Sequence, residues 1–345
     1  MISIQNMLRK NIRELTPYSS ARNEFSGEDA IFIDANENPY DTGVNRYPDP
    51  LQLNLKNKIS KIIKVDTQNI FLGNGSDEAI DLMIRAFCEP GVDNIISIKP
   101  TYGMYKVCAD INNVEYREAL LRNDYSLDKS ALLSLTDRNT KLLYLCSPNN
   151  PTSNSISRED IVYLLENFKG LVILDEAYID FSKEKSFTES LSKYPQLIIF
   201  QTLSKAWGMA GIRLGMAFAS KEIINVLNII KYPYNVNILT QRLALERLQK
   251  VDEKENWVKM ILEQREFLRL KLGEFPAVTK VLPSDANFLM AKFDNSGEVF
   301  NYLIDHKIIV RDRSKVALCE GCLRITVGTK NENELLLKVL QDYYS

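Results

Sequence analysis

The chain has 345 residues, enough to bury a large core and to form two domains. Hydrophobic content of 45%, charged content of 26% and a net charge of −2 are those of an ordinary globular protein, with no basic surface for nucleic acid. No apolar run is long enough to span a bilayer, and Met1–Leu15 lacks a signal-peptide core, so a cytoplasmic protein away from membranes is expected.

The single histidine, His306, excludes chemistry that needs a histidine set among other functional groups, and multi-histidine metal sites with it. Proton transfer must then come from Lys, Tyr, Asp or Glu. Of the five cysteines, only Cys319 and Cys322 have metal or redox spacing, and no second pair supports them, so no metal is expected.

Residues 1 to about 45 are expected to pack against a small C-terminal α/β unit. From about residue 68, apolar strand-like runs alternate with amphipathic helices, beginning with Asn69–Leu72. Gly73-Asn74-Gly75-Ser76-Asp77-Glu78 follows, where glycines and a helix start can approach a phosphate. The next helix shows Ile80, Met83, Ile84 and Phe87 at helical spacing. After the strand Asn94–Ile98, Tyr102 in Pro100–Tyr105 can stack on a flat ring. After Leu142–Cys146, Asn150 precedes a proline that holds it extended, so its amide can meet a phenolic oxygen. Ile161, Leu164, Leu165 and Phe168 mark another helix.

The strand Leu171–Leu174 runs directly into Asp175. A carboxylate there is costly to bury unless paired, and a protonated pyridine nitrogen suits it. Tyr178 follows three residues on. A metal-binding reading of Asp175-Glu176 is the rival, without the phosphate loop that would accompany it. After Leu197–Phe200 comes Thr202-Leu203-Ser204-Lys205, with Arg213 eight residues beyond the lysine and the strand Met216–Ala219 after that. A lysine there can form a Schiff base, while hydroxyls and an arginine can hold a phosphate.

Each piece alone has an ordinary structural reading as turn, core or surface. In this order they account for every polar handle of pyridoxal 5'-phosphate (PLP): aldehyde, ring nitrogen, phenolic oxygen, ring face and phosphate. Most strands are apolar on both faces, as in a buried parallel sheet. Residues 222–275 read as helical, with one long charged stretch from Leu239 to Leu272. Asn287–Phe293, Gly297–Asp305, Leu323–Val327 and Asn331–Tyr343 then read as strand, helix, strand, helix.

The five pieces, with Leu15–Arg22, Asp34–Pro39, Asn45–Pro50 and Gly321–Gly328, resemble the fold-type I PLP enzymes, the aspartate-aminotransferase-like superfamily. Within it the chain is similar to the histidinol-phosphate aminotransferases of histidine biosynthesis. One departure is Asn150-Pro151-Thr152-Ser153, where the family usually has a glycine at the last position.

The resemblance implies an α/β fold with a large PLP-binding domain, residues 46–265, built on a mostly parallel seven-stranded sheet. Residues 1–45 and 266–345 form the smaller domain. It implies Lys205 as the Schiff-base residue and proton shuttle, Asp175 on the pyridine nitrogen, Tyr178 and Asn150 on the phenolic oxygen, and Tyr102 on the ring. Ser76, Asp77, Thr202, Ser204 and Arg213 would form the phosphate cup. Tyr47 would reach the cofactor of a second subunit, hence a homodimer. Tyr18, Asn36, Arg311 and Arg324 would bind substrate. Arg324 lies in an apolar strand, where an unpaired charge is costly, which also favours binding.

The implied reaction is ping-pong transamination between L-histidinol phosphate and 2-oxoglutarate, giving imidazole acetol phosphate and glutamate. Rivals on the same scaffold are a threonine-phosphate decarboxylase and an aromatic aminotransferase. A non-catalytic PLP-sensing module is a rival of another class, but Lys205 and Asp175 are both intact.

Overall fold

Seven strands form the main sheet of the computed structural model, which describes residues 3–16 and 31–345: β1 (Ile70–Asn74), β2 (Asn94–Lys99), β3 (Glu115–Leu120), β4 (Thr140–Cys146), β5 (Leu171–Asp175), β6 (Leu197–Thr202) and β7 (Leu214–Phe218). Their order is β1-β7-β6-β5-β4-β2-β3. All neighbours are parallel except β7, which runs against both β6 and β1.

Side chains alternate across the sheet. Ile96, Leu143, Val172, Leu174 and Ile199 face one side, and Ile95, Leu142, Tyr144, Ile173 and Ile198 the other. Both sides are covered by helices, so the strands read as continuous apolar runs. β3 is the exception: it lies at the sheet's edge, mixes polar with apolar residues, and has only Ala119 buried. That is why apolar runs mark six of the seven strands and not this one.

Twelve α-helices are present among the described residues. On one face lie α1 (Ile4–Met7), with α2 (Lys10–Arg13) beside it, α4 (Gly75–Phe87), α5 (Met104–Ile111) and α8 (Lys221–Ile230). The other carries α3 (Leu53–Ile63), α6 (Lys129–Ser134), α7 (Arg158–Asn167) and α9 (Ile238–Arg247). The stripe expected on α4 is realised: Ile80, Met83, Ile84 and Phe87 have no exposed surface. Each such burial stabilises the fold by about 2 kcal/mol relative to exposure.

The C-terminal sheet has the order β10-β11-β9-β8 and is antiparallel throughout: β8 (Val278–Val281), β9 (Phe288–Phe293), β10 (Arg311–Asp312) and β11 (Cys322–Thr326). α11 (Ser296–Asp305), α12 (Lys330–Tyr344) and the end of α10 (Val251–Leu272) cover it, with Leu289, Leu323, Leu340 and Leu272 in its core. The short β8 and β10 were not evident in the sequence. A further cluster, Tyr178, Phe181, Ala206, Val258, Ala286 and Phe288, joins the two sheets.

Two expectations are corrected here. The charged stretch from Leu239 to Leu272 is not one helix: α9 ends at Arg247 and α10 begins at Val251. Residues 4–9, among the first described, pack on the main sheet and not on the C-terminal unit. Ile4 and Leu8, four apart on one side, fit into the apolar surface of the main sheet's helices. Arg9 fastens them there, its guanidinium donating to the Arg85 carbonyl at 3.1 Å and its amide to that of Ala86 at 3.1 Å. The boundary expected between residues 265 and 266 falls inside α10, whose Val258 packs in the joining cluster and whose Leu268 packs in the C-terminal core.

Candidate active site

Ligands in open α/β sheets bind beyond the carboxyl ends of the strands. Here β1, β2, β4, β5 and β6 deliver Ser76, Tyr102, Asn150, Asp175 and Lys205 to one such edge. β7 runs the other way, so its start carries Arg213 to the same place. All six residues line one cavity, with Gly75, Asp77, Cys146, Tyr178, Thr202 and Ser204.

Asp175 is 3% exposed. Its Oδ2 accepts from the Tyr105 hydroxyl at 2.7 Å and its Oδ1 from the Ala177 amide at 3.1 Å. Burial pushes the carboxyl up to about 6, although both hydrogen bonds favour the charged form. No cation among the described residues pairs with it, which leaves place for a cationic ligand group. Tyr105 has no exposed surface, and burial followed by the Asp175 charge raises its phenol, so it remains a donor. Sequence reasoning overlooked Tyr105, whose only signal was an aromatic one helical turn after Tyr102. Glu176 has different partners: Ser186 Oγ at 2.6 Å, the Phe187 amide at 2.8 Å and Gln201 Nε2 at 3.0 Å. The adjacent carboxylates therefore do not form a shared metal site.

An anion cradle lies at the start of α4, which has no side-chain cap. Asp77 accepts from the Tyr102 hydroxyl at 3.0 Å and from Arg213 Nη2 at 3.2 Å. The Thr202 hydroxyl lies 3.0 Å from that of Ser204 and accepts from the Ser204 amide at 3.1 Å. Gly75 has φ +72°, and a Cβ there would sit 2.6 Å from Arg213 Nη2. Glycine thus keeps the cradle open as well as permitting the turn. Gly215 lies so close to the Gly75–Ser76 backbone that a Cβ would overlap it.

Opposite the cradle, Asn150 Nδ2 donates to the Tyr178 hydroxyl at 3.5 Å, and Arg324 Nη1 donates to Asn150 Oδ1 at 2.5 Å. Lys205 Nζ lies 5.5 Å from the Tyr178 ring centre. Burial, then the Arg324 charge, lowers the lysine's pKa, which raises its share of free amine.

The remaining expected residues are not gathered here. Tyr18 lies outside the described residues. Asn36 is exposed with φ +53°. Tyr47 is half exposed, stacks on Tyr234 with ring centres 4.5 Å apart, and lines a separate apolar depression with Ile31, Phe32 and Leu53. Arg311 is exposed on β10, directly opposite Arg324. Ser153, where the family has glycine, keeps φ +66°. Its hydroxyl lies 2.6 Å from the Thr152 carbonyl and 3.1 Å from that of Pro283, which helps offset the strain.

These donors fit PLP on the structure's own terms: a buried carboxylate without a cation, an uncapped helix start beside hydroxyls and an arginine, and a lysine between them. The family model for class I and II aminotransferases matches residues 22–340. A histidinol-phosphate aminotransferase from Bacteroides fragilis is 56% identical over 344 residues, covering 99% of this chain and all of its own. The crystal structure of histidinol-phosphate aminotransferase from Clostridium acetobutylicum matches with a TM-score of 0.80 at 24% identity, covering 87% of this chain and 91% of its own. That of the Sinorhizobium meliloti enzyme in complex with pyridoxal-5'-phosphate matches at 0.77 and 23%, covering 86% and 83%. The chain belongs to the class I and II aminotransferases and, within them, to the histidinol-phosphate aminotransferases.

Proposed function

We infer that the protein is a PLP-dependent transaminase that moves an amino group between L-histidinol phosphate and 2-oxoglutarate, yielding imidazole acetol phosphate and glutamate, in histidine biosynthesis. The observation that carries the chemistry is one cavity edged by the Lys205 amine, the buried Asp175 carboxylate and the Arg213 cradle. The substrates follow from the full-length similarity to histidinol-phosphate aminotransferases.

Pyridoxal phosphate, when bound, supplies an aldehyde that condenses with amines and a ring that withdraws electrons. Asp175 would hold the ring nitrogen protonated, with Tyr105 and the Ala177 amide fixing its two oxygens. The Tyr178 hydroxyl and the Asn150 amide would donate to the phenolic oxygen, while Tyr102 covers the ring. Ser76, Asp77, Thr202, Ser204 and Arg213 would hold the phosphate, with the backbone of α4's first turn supplying free donors. Lys205 would carry the covalent attachment, and its free amine would take the proton from the substrate's amino-bearing carbon. Burial and the Arg324 charge lower its pKa, which favours the free amine that this task needs.

Arg324 and Arg311 would bind the anionic ends of the substrates, with Asn36 and Tyr18 lining the pocket. Tyr47 stands on an exposed apolar surface with Leu53, which supports a homodimer in which it serves the neighbouring subunit's site. The separate core around Leu289, Leu323 and Leu340 supports a smaller domain over 266–345 beside a cofactor domain over 46–265, and the cytoplasm fits a biosynthetic enzyme. Borohydride reduction of the holoprotein and peptide mass mapping should place the pyridoxyl group on Lys205, and Lys205→Ala should abolish turnover. A label on another lysine, or substantial turnover by the variant, contradicts the assignment.

A further inference from the structure

Three arginines occupy one small patch of the C-terminal sheet. Arg311 on β10 lies directly opposite Arg324 on β11, and opposed residues of an antiparallel pair project from the same face. The pairing continues past β10, where the Arg313 amide donates to the Cys322 carbonyl at 2.9 Å. Arg313, two residues on from Arg311, therefore joins that face.

Like charges so placed repel, and the nearby Asp312 and Tyr178 offset them only in part. Among the described residues none of the three forms an ion pair. Asp312, the nearest acid in sequence, instead accepts from the Ser314 amide at 2.8 Å. Arg313 Nε is buried and has no hydrogen-bond partner. Arg324 spends Nη1 on Asn150, which places the patch beside the cavity. Burial, and then the Arg311 charge, lowers the Arg313 pKa, and Arg324 is lowered by burial and then by Arg313. An anionic ligand would relieve all of this.

The transaminase reading gives that ligand two forms. A carboxylate has one charge and two oxygens, which a single guanidinium fork satisfies. A phosphate monoester has nearly two charges and three free oxygens, enough for several guanidiniums. We propose that Arg313 is a specificity-determining residue that binds the phosphate end of L-histidinol phosphate together with Arg311 and Arg324. It rests on the transaminase reading above, and it separates the two amino donors: the phosphorylated one uses Arg313, while glutamate is served without it.

The test uses holoenzyme of wild type, Arg313→Gln and Arg313→Lys, with KM and kcat measured separately for L-histidinol phosphate and for glutamate. Inorganic phosphate is the competing probe. Removing one of three like charges relieves repulsion, so Arg313→Gln should melt no lower than wild type. Its KM for L-histidinol phosphate should rise tenfold or more, with kcat and the KM for glutamate within about twofold to threefold, and inhibition by inorganic phosphate should weaken in parallel. Arg313→Lys should recover most of the loss. An unchanged KM for L-histidinol phosphate, or an equal rise for both donors, overturns the proposal. Absence of histidinol phosphate turnover in wild type would instead overturn the transaminase reading, and then an unchanged inhibition constant for phosphate in Arg313→Gln would dispose of the anion site as well.

Discussion

At Asp175 a single carboxyl is held almost wholly out of water, with its pKa raised to about 6. In the unfolded chain it titrates near 4, so between about pH 4 and 6 the folded apoprotein holds more protons than the unfolded one. This contribution to stability is complete below about pH 4 and is lost as pH rises through 6. Near neutral pH the buried charge costs about 3 kcal/mol until a cationic ring nitrogen meets it. Apoprotein of Asp175→Asn should therefore be at least as stable as wild type at pH 7, with the difference closing towards pH 4, while transamination falls by orders of magnitude. Denaturant melts of the two apoproteins across that range check it; a variant less stable at pH 7 would contradict it. The need for a partner at Asp175 was legible, because four apolar residues lead into it. Its support by Tyr105 was not, since a hydrogen bond between residues 70 positions apart has no local signature.

At the scale of elements, the site depends on how tightly α4 meets β7. The Gly215 contact is backbone against backbone, so Gly215→Ala has no soft group to displace and should destabilise the fold by about 3 kcal/mol or more. Gly75→Ala meets only the movable end of Arg213, together with a left-handed turn costing about 1 kcal/mol. It should fold and yet bind PLP about tenfold more weakly, as read by equilibrium dialysis. Unchanged PLP affinity would show that the turn does not shape the cradle. The buried strands and α4 were readable because burial on both faces, or on one stripe, writes itself into the sequence. Edge strand β3 and the short β8 and β10 were not, because half-exposed pairing needs no apolar run. The Leu248–Lys250 break is a matter of tertiary packing, with Leu248 turned into the core while its neighbours stay outside.

Over the whole molecule, the two sheets are joined by an apolar cluster that contains Tyr178 and Phe288, the ring over which the Arg324 guanidinium lies at 5.3 Å. The residues proposed to hold the cofactor thus belong to one sheet and Arg311 and Arg324 to the other, so one pocket would hold the cofactor still while reading the anionic end of a substrate. The exposed Ile31, Tyr47, Val44 and Leu53 leave apolar surface that a second copy would cover. Sedimentation equilibrium should give about twice the chain mass of 39.5 kDa, and a monomer at micromolar concentration would remove the intersubunit role of Tyr47. That role and those of Asn36 and Arg311 came from the family pattern, whereas Tyr102, Asn150, Asp175, Lys205 and Arg213 stood out as candidates from their places near strand ends. The most direct measurement is a coupled assay of purified holoenzyme with 2-oxoglutarate, following glutamate, with L-histidinol phosphate, phenylalanine and threonine phosphate supplied separately. Glutamate should form rapidly from L-histidinol phosphate, with kcat/KM at least a hundredfold above that for phenylalanine; preference for phenylalanine, or release of CO2 from threonine phosphate in place of glutamate formation, would contradict it.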